Sequence, residues 1–176
     1  MRIASIVHDS IVDGQGLRLA VFVQGCSHNC KGCHNPQSHD PKGGHEESIE
    51  NIIHKIETSK LIDGVTLTGG EPFDQSLLCA KIAIASKKLG YNVWTYTGYT
   101  YEQLRKENRA DYDLLLANTD VLVDGPFVEE LKSYELHFRG SKNQRLIDVK
   151  KSLAADEIVE YFEEEHILDK FKVPES

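Results

Sequence analysis

The run "LRLAVFVQGCSHNCKGCHN", residues 17–35, decides the fold. Its first eight residues are rich in β-branched and aromatic types, and predict a strand. The strand opens directly into a loop with three cysteines, Cys26, Cys30 and Cys33, spaced C-x3-C-x2-C. Working outward, "GGHEESIENIIHKIETSK" predicts a helix with Ile49, Ile52, Ile53 and Ile56 on one face. "GVTLTGG" predicts a strand and a tight turn, and "DQSLLCAKIAIASKKLG" a helix closed by Gly90. "YNVWTYTG" reads as a strand. "TYEQLRKENRA" reads as a helix capped by Thr100, with Gln103 completing a capping box. "DVLVDG" is a strand, "PFVEELKSY" a short helical turn, and "ELHFRGSKNQRLIDVKK" a strand-loop-strand. "AADEIVEYFEEEHILDKF" predicts an acidic amphipathic helix.

Strand, loop and helix thus alternate about four times, which predicts an α/β fold with a mostly parallel sheet. In such folds ligands collect where loops leave the C-terminal ends of the strands. The cysteine loop, "TGGEP", "TYTGYT" and "VDGPF" all fall on that edge. No repeat, low-complexity segment or linker divides the chain.

The chain has 176 residues, enough for one domain with a core; 40% are hydrophobic and 27% charged. A net charge of -8 argues against a nucleic-acid surface, which needs clustered Lys and Arg. No apolar run approaches the roughly 18–20 residues that span a bilayer. The N-terminus lacks the apolar core of a signal peptide. The expectation is a cytoplasmic protein with no nucleic-acid or membrane partner. Of four cysteines, three are crowded together, which points to metal or catalysis rather than disulfides. Cys79 stands in a helical apolar segment and reads as a buried small residue.

Two chemistries compete for the loop. Zinc would take the three thiolates with His28 or His34, in a non-enzymatic Cys3His module. An iron–sulfur cubane held by three thiolates keeps one iron open for a ligand. The loop alone favours the cubane without excluding zinc. "LTGGEPF", residues 67–73, adds to it. Gly69 and Gly70 let backbone approach a ligand, and Glu71 with backbone carbonyls is an acceptor set suited to an ammonium group.

With both motifs in view, the chain resembles the radical S-adenosylmethionine enzymes. The resemblance implies a partial (β/α) barrel and a [4Fe-4S] cluster on Cys26, Cys30 and Cys33. It also implies S-adenosyl-L-methionine on the open iron, its amino group held by Gly69, Gly70 and Glu71. "VDGQGLR" (12–18) and "CHNP" (33–36) are similar to the glycyl-radical-enzyme activases, with Gln15 where Pro is usual. Within that group, "WTYTGYTYEQL", "DVLVDGPFVEELK" and "FRGSKNQRLID" look like the activases of anaerobic (class III) ribonucleotide reductases. The resemblance runs over about residues 12–148, and the helix in 149–176 lies outside it. It implies reductive cleavage of the cofactor and a glycyl radical in the C-terminal region of the large reductase subunit. Flavodoxin is the implied electron donor. An activase of another glycyl-radical enzyme, such as pyruvate formate-lyase, is the alternative enzyme.

Further site residues follow from position. The backbone of Gly32, Cys33 and His34 lies against the cluster and lines the cofactor. Thr95 and Thr97 offer hydroxyls to its carboxylate or ribose, or simply favour a strand. Asp124 holds ribose or partner backbone, or simply forms a turn with Gly125. Arg139, Asn143, Gln144 and Arg145 either meet the partner or are solvated.

Overall fold

The structure, a computed structural model, describes residues 1–162. Seven strands build one sheet: β1 (Arg2–Ser10), β2 (Arg18–Val23), β3 (His45–Glu46), β4 (Gly64–Gly69), β5 (Asn92–Tyr96), β6 (Val121–Asp124) and β7 (Arg145–Asp148). Five helices accompany it: α1 (Ile49–Thr58), α2 (Ser76–Lys88), α3 (Tyr101–Lys106), α4 (Ala110–Ala117) and α5 (Val149–Ala155). The strand order is β3-β1-β2-β4-β5-β6-β7. The four central strands, β2, β4, β5 and β6, run parallel, while β1, β3 and β7 add antiparallel edges.

Local chemistry sets most boundaries. Ser48 caps α1 by accepting from Asn51 N at 3.1 Å. Thr100 and Gln103 form the anticipated capping box of α3. Gly90, at φ 87°, follows the end of α2 in the left-handed region. Three elements were not anticipated: β1, β3, which falls inside the stretch read as the first helix, and α4. β1 lies between β2 and β3, and its identity depends on antiparallel pairing with both; β3, two residues long, forms the edge beside it. α4 carries "DLLL", an apolar run without helical period.

Period-two alternation divides the sheet into two faces. Leu19, Val21, Val23, Val65, Leu67, Val93, Leu122 and Ile147 pack with the helices into the main core. The opposite face carries Trp94, Val121 and Val123, with Tyr96, Phe138, Leu146 and Tyr161 packed on them. Arg18 is fully buried and lies 5.4 Å over the Trp94 ring. Its guanidinium donates to Thr66 Oγ1 at 2.7 Å and to the carbonyls of Gln15 and Val65.

The acidic helix expected from residue 154 onward is corrected where it can be seen. α5 stops at Ala155, and Asp156 takes a left-handed conformation, φ 52°. Residues 158–161 run extended beside β7: Asp148 N donates to Val159 O, and Tyr161 N to Leu146 O, both at 2.9 Å. The rest of that expected helix lies outside the described residues. Among the described residues, no helix is long and apolar enough to cross a membrane.

Candidate cluster and cofactor site

The loops after β2, β4, β5 and β6 leave one rim of the sheet, as parallel strands require. The loop after β2 holds the three cysteines and folds back on itself. Gly25 N donates to Ser38 O at 2.7 Å, and Cys26 N to His39 O at 3.2 Å. The Gln24 amide closes the base by donating to the Gln37 and Asp40 carbonyls. Cys26, Cys30 and Cys33 are free thiols, each half-buried. All three line one cavity of about 770 Å³, within the size range of small-molecule sites.

The loop after β4 is zipped to the cysteine loop. Gly70 N donates to Val23 O at 2.9 Å, and Glu71 N to Gly25 O at 2.8 Å. Gly69 has φ 108°, and a Cβ there would lie 2.5 Å from Val23 N. Gly70 lies outside the left-handed region, yet a Cβ there would lie 2.2 Å from Gly25 O. Both glycines line the cavity, and both are required because two backbones touch.

Glu71 sits behind the cavity wall, fully buried. Its Oε1 accepts from Thr97 Oγ1 and Gly98 N, both at 2.8 Å, and lies 2.5 Å from His28 Nε2. Its Oε2 accepts from Phe73 N at 3.0 Å. The carboxylate's capacity is thus filled from within. It ties the cysteine loop, through His28, to the end of β5. The Glu71 hydrogen bond raises His28 above the ordinary histidine range, against the opposing effect of burial. His28 also packs edge-on against Tyr99 at 4.4 Å. A Cβ at Gly98 would lie 2.6 Å from the His28 ring, so a glycine there admits the imidazole.

Of the expected cofactor residues, Cys33, His34, Gly69, Gly70 and Thr97 line the cavity. Gly32, at φ 75°, packs instead on the Glu129 side chain. Like Gly32 and Glu71, Thr95 and Asp124 do not line the cavity. Thr95 is fully buried in the helix layer, and its hydroxyl lies 2.9 Å from Thr119 Oγ1. Strand alternation turns it away from the cavity; Thr97 escapes that rule because β5 has already ended. Asp124 is fully buried and holds Arg145, which donates through Nε at 3.0 Å and Nη2 at 2.5 Å. It also accepts from Tyr101 N at 2.8 Å, anchoring the start of α3. Arg145 in turn binds Glu102 through both Nη atoms. Asn143 and Gln144 brace the same loop on the Pro126 and Gly125 carbonyls. Spacing gave no signal for Tyr96, His39 or Phe127, which line the cavity. Their neighbourhood exists only once the loops fold together.

Thr95→Val is therefore expected to leave S-adenosylmethionine affinity unchanged and lower stability by about 1 kcal/mol. Asp124→Asn is expected to leave affinity unchanged too, and to destabilise by about 1–3 kcal/mol through the loosened Arg145 contact. Thermal melts beside equilibrium dialysis check both. A fall in affinity with unchanged melting would return these residues to the cofactor.

The donor set suits a cluster held by three thiolates. His28 is engaged by Glu71, and His34 packs edge-on against Phe127 at 5.1 Å. Burial pushes the Cys26 thiol up, opposed by the facing backbone amides of His28 and Asn29. Such amides stabilise a cluster-bound sulfur. Among the described residues, no three His, Cys, Asp or Glu converge as ligands of a single ion.

The class these features define is a protein that carries one iron–sulfur cluster: the family described as a 4Fe-4S single cluster domain matches residues 12–147. The chain is 34% identical over 142 residues to the anaerobic ribonucleoside-triphosphate reductase-activating protein of Vibrio cholerae, covering 76% of this chain and 89% of that one. It is 33% identical to the protein of that name from Escherichia coli K12, covering 76% and 90%. Enterobacteria phage T4 has another, 31% identical, covering 77% and 86%. The chain belongs to the family of anaerobic ribonucleoside-triphosphate reductase-activating proteins.

Proposed function

We propose that this protein activates an anaerobic ribonucleoside-triphosphate reductase by generating a glycyl radical in the C-terminal region of its large subunit. One observation carries the reading: a single cavity gathers three thiols with Gly69, Gly70 and Thr97 at the C-terminal rim of a parallel sheet. When bound, the [4Fe-4S] cluster supplies the electron that cleaves S-adenosylmethionine, whose 5′-deoxyadenosyl radical takes the glycine hydrogen.

The chain's own residues do the positioning. Cys26, Cys30 and Cys33 would hold the cluster through their thiolates. Cys33, His34 and the backbone of Gly69 and Gly70 contact the cofactor, with Gly32 shaping the loop. Glu71 acts from behind, locking His28, Thr97 and Gly98 into one wall. Phe127, Val123 and Phe22 supply apolar surface that excludes water.

The sheet reads as an opened (β/α) barrel of the radical S-adenosylmethionine type, with residues 1–148 as that domain and 149–176 as its C-terminal extension. The buried Val149 and the pairing of residues 158–161 with β7 support an extension packed on the domain. Flavodoxin as electron donor and a cytoplasmic location complete the proposal.

The test is anaerobic reconstitution with iron, sulfide, S-adenosylmethionine and reductant, followed by electron paramagnetic resonance on the large reductase subunit. A glycyl-radical doublet dependent on all components is expected. Cofactor cleavage without a radical on that subunit would assign the chain to another glycyl-radical enzyme. A colourless protein with one zinc would defeat the cluster.

A further inference from the structure

Among the described residues, two buried side-chain polar atoms lack a hydrogen-bond partner: Tyr96 Oη and His39 Nε2. Both side chains line the cysteine cavity. Buried polar atoms in folded proteins are nearly always paired. Two orphans in one cavity point to partners that arrive with a ligand.

Tyr96 stands on the cavity floor. Strand pairing sets Phe22 beside Thr68, and Tyr96 beside Val123. Alternation sends all four side chains to the face away from the helices, and all four line the cavity. The ring packs with Trp94, Val121 and Val123, which fixes its direction. Burial, with Asp13 nearby, pushes the phenol far above the ordinary tyrosine range. It keeps its proton and is a hydrogen-bond donor.

We infer that the Tyr96 hydroxyl is a cofactor-binding group, donating a hydrogen bond to an oxygen of bound S-adenosylmethionine. This rests on the function proposed above. The position favours a small molecule over a polypeptide. The cavity mouth is formed by Ile11 and Val12, each 71% exposed, and by Tyr134, 85% exposed. A macromolecule meets that mouth first, whereas the floor is reached by what enters the cavity.

Tyr96→Phe removes one oxygen and keeps the packing. The experiment uses anaerobically reconstituted full-length protein and S-adenosylmethionine as the probe. Iron content is expected to be unchanged. The cofactor-free melting temperature is expected to hold or rise, because an orphaned hydroxyl has gone. The dissociation constant of S-adenosylmethionine, by equilibrium dialysis, is expected to rise about tenfold. A tyrosine that only packs would leave affinity untouched. Unchanged affinity in Tyr96→Phe beside normal wild-type binding overturns the inference, including the case in which the phenol serves the partner polypeptide. No binding by wild-type protein overturns the functional reading and the inference with it.

Discussion

Cys26→Ala, Cys30→Ala and Cys33→Ala are each expected to abolish cluster assembly and to bring glycyl-radical formation to background. Two thiolates cannot hold a cubane against loss of iron. His28 is held by Glu71 at 2.5 Å, and His34 is packed on Phe127. The remaining cysteine, Cys79, is fully buried on α2 in the helix-layer core, with its thiol driven up by burial. It cannot reach the rim without unfolding α2. Cys79→Ala is therefore expected to keep its iron, with a modest loss of stability from lost packing. Iron and sulfide analysis of the four variants decides the matter. Iron retained by one of the triad variants, or lost on Cys79→Ala, would break the ligand assignment.

Gly70→Val is expected to lower iron content severalfold and to remove cofactor binding with it. From the motif alone, a side chain at Gly70 intrudes on the cofactor's amino group and leaves the cluster in place. The structure changes that expectation. A Cβ would lie 2.2 Å from Gly25 O and 2.8 Å from Gly25 C, which are backbone of the cysteine loop. That backbone has little room to yield, because Gly25 N and Cys26 N are bonded to Ser38 O and His39 O. The overlap is relieved only by parting the two loops, at a cost of about 1–3 kcal/mol or more. Parting them breaks the Glu71 N to Gly25 O hydrogen bond and displaces Cys26. The measurement is iron per chain beside S-adenosylmethionine affinity in one preparation. Full iron with weak cofactor binding would show that the clash falls on the ligand alone. Full iron with normal affinity would make the loop an ordinary turn.

Much of the fold was legible because its signals are local. Apolar runs at β2, β4, β5 and β6, the capping box at Thr100 and Gln103, and the glycine after α2 each act within a few residues. β1 was not legible, since its residues alternate irregularly and its pairing with β2 and β3 is long-range. Nor was α4, whose "LLL" run buries Leu115 and Leu116 while Leu114 stays 37% exposed. The helix expected beyond residue 154 failed at Asp156. There the pairing of Val159 and Tyr161 with β7 outweighed amphipathic periodicity.

The sequence by itself determined which residue types meet at the rim: three thiols at cluster spacing, and two glycines with a carboxylate at the end of the next parallel strand. Motif spacing is covalent, so these survive any detail of packing. Only the tertiary structure decided what each group does there. It showed Glu71 saturated by four donors from three segments, and Gly70 demanded by the Gly25 carbonyl. It turned Thr95 and Asp124 away, toward Thr119 and Arg145, and left Tyr96 Oη unpaired on the cavity floor. Those roles depend on contacts between residues far apart in the chain. The orientation of one side chain against another's backbone has no counterpart in local periodicity.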